Sequence, residues 1–120
     1  MGEAETSARV MRAPSRSDPE VQRFLAESLG RIIARFNPQA MVLFGSRVDG
    51  TPDEWSDIDL VIVSSEFEGM RVLPRMALFR RTAQPHIHVD ALCYTPSEFE
   101  YMMTQPSMVR EAVETGLRVI

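Results

Sequence analysis

Residues 40–63, AMVLFGSRVDGTPDEWSDIDLVIV, carry the pattern from which the fold of this chain is read. Ala40–Phe44 is a short apolar run of strand length that ends at Gly45-Ser46. Val48 to Ser56 holds Gly50, Pro52 and the acidic residues Asp49, Asp53 and Glu54, the composition of a loop. Ile58–Val63 is apolar and rich in β-branched side chains, as in a strand buried on both faces beyond its first residues.

Outward from this centre, the pattern continues in both directions. Upstream, Asp18-Pro19 is a helix start, a capping side chain followed by proline at the first helical position. Val21, Phe24, Leu25, Leu29, Ile32, Ile33 and Phe36 recur at three- and four-residue spacing and predict an amphipathic helix that Asn37-Pro38 stops. Downstream, Val72–Arg81 predicts a helix with Val72, Met76 and Phe79 as its buried stripe, and His86–Tyr94 a third strand. Thr95-Pro96-Ser97-Glu98 is a capping box opening another helix. Pro106-Ser107 begins a last helix, which Gly116 ends, leaving Leu117–Ile120 for a short terminal strand. The resulting order is α-β-(short α)-β-α-β-α-α-β. It predicts an α+β fold: a small mixed sheet with helices mainly on one face and an acidic site near the strand ends of the other. Residues 1–17 are polar, lack apolar periodicity and read as a flexible tail before a domain spanning 18–120. Gly2 and Thr6 match an N-myristoylation pattern short enough to recur by chance.

Composition removes several classes of function. The chain has 120 residues, 44% hydrophobic and 25% charged, the balance of an ordinary globular domain. Its net charge of −4 does not suit a general nucleic-acid binder. All 13 basic residues are arginine, so a phosphate loop of the Walker type, which needs a lysine, is excluded. The chain also lacks the G-x-G-x-x-G run of a dinucleotide site. No apolar run nears the roughly 20 residues of a membrane-spanning helix, and no signal-type stretch opens the chain, so the expected location is the cytoplasm. The single cysteine, Cys93, reads as a small core residue.

The chemistry concentrates in Ser56-Asp57-Ile58-Asp59-Leu60. Residues two apart on a strand share a face, so Asp57 and Asp59 present paired carboxylates while Ile58 points away. Such a pair repels itself and favours a divalent cation, and oxygen ligands select magnesium or manganese over zinc. Gly45 lets the backbone approach a ligand, and Ser46 offers a hydroxyl and an amide. A helix starting there would add an anion site for phosphates. Asp90, on the next strand, would join the first pair if the two strands are neighbours. It is also the natural acceptor of a proton from an attacking hydroxyl. Arg47 reads either as a phosphate contact or as a partner of Asp49 or Asp53. Trp55 reads as an anchor for the loop or, less simply, as a stacking surface for a base. His86 and His88 alternate with Asp90, which reads as a polar strand edge beside the site rather than as a ligand set. Arg71, Arg75, Arg80 and Arg81 read as a basic, solvated helix face.

The run GSRVDGTPDEWSDIDLVIV resembles the signature of the minimal nucleotidyltransferases of the DNA polymerase β superfamily. That signature is G-S, a loop, D-x-D on a strand and a third acidic residue one strand later, here Gly45, Ser46, Asp57, Asp59 and Asp90. The similarity extends over about residues 20–120, to the closing TPSEFEYMMTQPSMVREAVETGLRVI. It implies a mixed sheet flanked by helices, ATP or another triphosphate as donor, and two magnesium ions, with Mn²⁺ as a substitute. It also implies a frequent partner, small helical HEPN toxins for which the nucleotidyltransferase is the antitoxin. Members often read G-S-R-A-R-G where this chain has Gly45-Ser46-Arg47-Val48-Asp49-Gly50, so Asp49 removes a positive charge near the expected triphosphate. The expectation is therefore a Mg²⁺-dependent transfer of AMP to a hydroxyl, such as a tyrosine of a HEPN toxin. The alternatives are an antitoxin acting by contact alone and a small-molecule nucleotidyltransferase. A homo-oligomer is compatible with the sequence.

Overall fold

The computed structural model describes residues 18–50 and 55–120; the tail expected over 1–17 lies outside them. Helix α1, Pro19–Phe36, opens where the Asp18 carboxylate accepts from the amides of Glu20 and Val21. It closes at Asn37, whose φ of 42° turns the chain out of the helix ahead of Pro38. Strand β1 (Ala40–Phe44), helix α2 (Ser46–Asp49), strand β2 (Ile58–Val63) and a 3₁₀ turn (Ser65–Phe67) follow. Helix α3 (Val72–Ala83), strand β3 (Val89–Tyr94), helices α4 (Pro96–Met102) and α5 (Met108–Thr115) and strand β4 (Leu117–Arg118) complete the chain. This is the α+β order read from the sequence.

The sheet is mixed, in the order β3-β2-β1-β4. β1 runs antiparallel to both β2 and β4, whereas β2 and β3 are parallel and joined by the crossover through α3. Strand alternation sorts the side chains between two layers. Met41, Leu43, Ile58, Leu60, Ile62, Val89, Ala91 and Cys93 face the long helices, where Phe24, Ile32, Phe36, Phe67 and Phe79 complete the main core. Ala40, Val61 and Val63 face the other way and pack with Val109, Phe99, Met102 and Val113 of the two short helices. The long helices thus cover one face fully. The short ones cover part of the second face. Gly116 makes the return to β4 feasible, because a Cβ there would collide with the carbonyl oxygens of Ala112 and Leu43.

Local readings differ from the structure in four places. Ile33 is 45% exposed, because the buried line of α1 is Val21, Phe24, Ser28, Ile32 and Phe36, with Leu25 and Leu29 packed against the core at its side. Ser28 takes an inward position because its hydroxyl donates to the Ala83 carbonyl at the end of α3, 2.7 Å away. In α3 the buried line is Arg75, Phe79 and Ala83 rather than one starting at Val72, which is exposed. Arg75 is therefore not part of a solvated basic face. Its guanidinium donates to both Glu98 carboxylate oxygens, at 2.6 and 3.1 Å, and to the carbonyls of Cys93 and Met70. β3 begins at Val89, not His86, since Pro85 offers no N–H and His86 turns instead to Glu20 of α1.

Glu98 also closes the Thr95 capping box, so one carboxylate ties α3, the end of β3 and the start of α4 together. Hydrogen bonding to Arg75 holds its pKa down at about 2 from an ordinary 4.5. A depressed carboxylate contributes stability that is present above 4.5 and is lost as pH falls towards about 2. Glu98 is 45% exposed, so solvent screening keeps the effect small. Glu98→Gln is expected to cost about 1 kcal/mol at pH 7, with the gap closing between pH 4.5 and about 2 in denaturant titrations. By contrast, burial pushes the Cys93 thiol up to about 12, in keeping with an inert core position.

Candidate active site

The β2–β3 register places Ile58 beside Val89 and Asp59 beside Asp90. In a parallel pair, register neighbours project to the same face. The two acids thus stand side by side on the less covered face, at the end where both strands begin. Asp57 precedes β2 with the same parity. One ligand atom each from Asp57, His88 and Asp90 lies within 4.8 Å of the other two. His88 Nε2 is 2.9 Å from Asp90 Oδ1, with both side chains half exposed. The position of residue 88 is fixed by its backbone, since the His88 carbonyl accepts from the Ile58 amide at 3.1 Å.

Gly45 comes after Phe44, the β1 residue paired with Asp59. Its φ of 89° suits glycine, and a Cβ on it would overlap Asp59 Oδ2. The glycine is required by conformation and by space at once. Beyond it, Ser46 opens the one-turn helix α2, as the anion-site reading expected, and the amides of Val48 and Asp49 both bond back to the Gly45 carbonyl. Arg47 is buried at 8% exposure, and its guanidinium pairs with Asp18 Oδ2 at 3.1 Å and with the Ser56 carbonyl at 2.8 Å. A guanidinium this enclosed has little surface to offer a phosphate. What it does is lock the G-S turn to the start of α1 and to the residue before Asp57. Asp53, the other partner considered for it, lies outside the described residues.

A cavity of about 360 Å³ opens beside Asp59 and Asp90, lined also by Phe44, Met76, Leu92 and Met108. It adjoins a larger one of about 490 Å³ between α3 and α4, which shares Met76 and Leu92. Of the residues lining the pair, Val72, Tyr101 and Met108 are exposed. Trp55 is 82% exposed, so it is no buried anchor for the loop.

Burial, then the charges of Asp90 and Asp57, raise the Asp59 carboxyl above its ordinary 3.8, with His88 opposing. The carboxylates of Asp57, Asp59 and Asp90, with the His88 imidazole beside them, form a donor set suited to a divalent cation. The chemistry of the residues fits a metal there. The structure puts Asp59 beside Asp90 in the register and gathers ligand atoms of Asp57, His88 and Asp90; the sequence reading grouped Asp57, Asp59 and Asp90 and set His88 aside. The signal for it was present: in His88-Val89-Asp90 the outer two residues share a face.

A mixed sheet with paired acids on adjacent strand starts and a glycine-serine turn beside them has the layout of a nucleotidyltransferase. The family comparison agrees: the model of the nucleotidyltransferase domain matches residues 25–117, and the chain belongs to that family. Its members typically act on a nucleoside triphosphate with a divalent metal. Among solved structures, a protein of Sulfolobus solfataricus provisionally assigned as a nucleotidyltransferase is 22% identical, with a TM-score of 0.51, over 84% of this chain and 80% of that one. BolA1 from Arabidopsis thaliana is 21% identical with a TM-score of 0.49, over 66% of this chain and 94% of that one. No curated protein matches the chain significantly. Among the described residues, no helix is long and apolar enough to cross a membrane.

The raised Asp59 pKa has a definite sign for stability. Its contribution is fully present below 3.8 and is lost as pH rises through the raised value, so ionised Asp59 costs stability at neutral pH. Asp59→Asn is expected to raise the melting temperature of metal-free protein at pH 7 by about 2–4 °C, and by less near pH 4. Magnesium should raise the melting temperature of the wild type and leave that of the variant nearly unchanged; differential scanning fluorimetry reads both.

Proposed function

We propose that this chain transfers AMP from ATP to a hydroxyl acceptor on a protein, a tyrosine of a HEPN-type toxin, and so acts as an antitoxin. The observation that carries the transferase chemistry is the same-face pairing of Asp59 with Asp90, with Asp57 alongside. In this reading Asp57, Asp59 and Asp90 hold two divalent ions, Mg²⁺ or Mn²⁺. Bound there, the ions would neutralise the triphosphate and make the attacking oxygen more acidic.

The remaining roles belong to the chain's own groups. Gly45 lets the triphosphate approach the backbone closely, and the Ser46 hydroxyl and the amides at the start of α2 hold phosphate oxygens. Arg47 acts at one remove, keeping that turn and Ser56 in register. Asp90 takes the proton from the acceptor hydroxyl at a carboxylate oxygen. The acceptor oxygen forms a new bond to the α-phosphorus, the bond to the bridging oxygen breaks, and pyrophosphate leaves. What supports a protein acceptor is the rim: a small polar substrate would find the apolar side chains of Tyr101, Met108 and Val72 exposed there, whereas a folded partner could bury them. The HEPN identity rests on the resemblance in sequence.

Calorimetry with ATP should give binding that requires Mg²⁺ and disappears in Asp57→Asn/Asp59→Asn. Incubation of the partner toxin with the protein and Mg²⁺–ATP should add the mass of one or more AMP units to it, and an unchanged partner mass would sink the protein-acceptor reading. Asp49, in α2 beside the phosphate turn, favours a second reading in which contact alone neutralises the partner. The double Asn variant separates the two. Neutralisation that survives it belongs to contact, and neutralisation lost with the complex intact belongs to chemistry.

A further inference from the structure

We propose that His88 is a direct ligand of the metal site and, by adding nitrogen to an otherwise all-oxygen set, tilts the site towards Mn²⁺ over Mg²⁺. The inference rests on the metal-dependent reading above and concerns which ion this chain selects. Three observations carry it. The ligand atoms of Asp57, His88 and Asp90 are within 4.8 Å of one another. Donors on opposite sides of an ion with bonds of about 2.1 Å are about 4.2 Å apart, so one ion can reach all three after small side-chain rotations. Next, the bond from the Ile58 amide to the His88 carbonyl pins the backbone of residue 88 where β2 and β3 begin, which keeps the imidazole within reach of the acids. Lastly, His88 is half exposed and its Nε2 bonds, among the described residues, to a carboxylate that is itself in the set, so exchanging that contact for an ion requires no change in the core.

The consequence for selectivity follows from ligand chemistry. Mg²⁺ binds oxygen and keeps its waters, and gains little from an imidazole. Mn²⁺ accepts oxygen as readily and stands on the divalent series whose affinity for nitrogen donors rises through cobalt and nickel. A set of carboxylates plus one imidazole therefore favours Mn²⁺ over Mg²⁺ more than carboxylates alone would. A histidine that only oriented Asp90 would affect both ions alike.

The test is spectroscopic, with Mn²⁺ itself as the probe. Electron spin echo of the Mn²⁺-loaded protein should show ¹⁴N modulation from a coordinated imidazole, lost in His88→Ala and in His88→Asn. Counting free Mn²⁺ by its resonance, with Mg²⁺ as competitor, should show Mn²⁺ affinity falling about 10-fold in the variants and Mg²⁺ affinity changing by less than about 3-fold. Bound Mn²⁺ without ¹⁴N modulation, or equal losses for both ions, overturns the role of His88 and leaves the parent reading standing, provided binding still depends on Asp57 and Asp59. Wild-type protein that binds neither ion overturns both. Because the ¹⁴N signal is read on the wild type, the proposal stays exposed to refutation even if a variant fails to fold.

Discussion

The placement of Asp59 beside Asp90 is the constraint on which the rest of this structure depends. Burial is the larger cost of ionising Asp59, and the charge of Asp90 on the neighbouring strand adds to it. An arrangement of this kind persists only where the surrounding structure enforces it. Here the enforcement is the sheet itself. Ile58, Leu60 and Ile62 on β2, and Val89, Ala91 and Cys93 on β3, are packed under α1 and α3. Slipping either strand by one residue would turn that apolar set out to solvent, so burial of one face fixes the acids on the other. The core holds the register. The register holds the charges together.

The parallel sense of β2 and β3 matters as much as their adjacency. Parallel strands need a crossover, and α3 supplies it, which brings the starts of both strands to the same end of the sheet. The loop before β2 and the 84–88 segment before β3 therefore meet, bringing Asp57 and His88 to acids that the strands alone position. β1, running the opposite way, delivers its C-terminal glycine turn to that same end. Arg47 then links this turn to Asp18 at the head of α1, where Glu20 in turn meets His86. One end of the molecule is thus stitched by ion pairs while the middle is held by apolar packing.

Much of this was legible in the sequence, for reasons that can be named. The buried strands announce themselves because apolar runs as short as Ala40–Phe44 and Ile58–Val63 have few other uses. Caps at Asp18, Thr95 and Ser107 are local chemistry and were realised as side-chain bonds. The same-face grouping of Asp57 and Asp59 needs only strand alternation. Their union with Asp90 needed the strand order, which the resemblance supplied and residue spacing alone did not. What was not legible depends on partners distant in the chain. Arg75 looks like a surface cation until Glu98 and two carbonyls are placed around it. Arg47 reads equally as a phosphate contact or as a partner of Asp49 or Asp53 until Asp18, 29 positions earlier, is found against it. In both cases a charged side chain enters the interior because its counter-charge and hydrogen-bond acceptors arrive from elsewhere, and no local pattern records that.

These two arginines also show how a chain without lysine uses its cations. A guanidinium can satisfy several acceptors in fixed directions, whereas an ammonium is a compact point charge with strong hydration. Arg75 bonds a carboxylate and two carbonyls, and Arg47 a carboxylate and a carbonyl, so each joins three segments of the fold. Lysine in either place could retain the charge but not the planar fork. Both arginines are therefore committed to architecture, Arg47 by holding the glycine turn beside the site to Asp18 and Ser56. That leaves the repulsion among Asp57, Asp59 and Asp90 for a mobile cation to relieve. A site whose acids are held together by the core, while the Arg47 guanidinium beside its glycine turn is engaged in the frame, is one that a metal ion would complete.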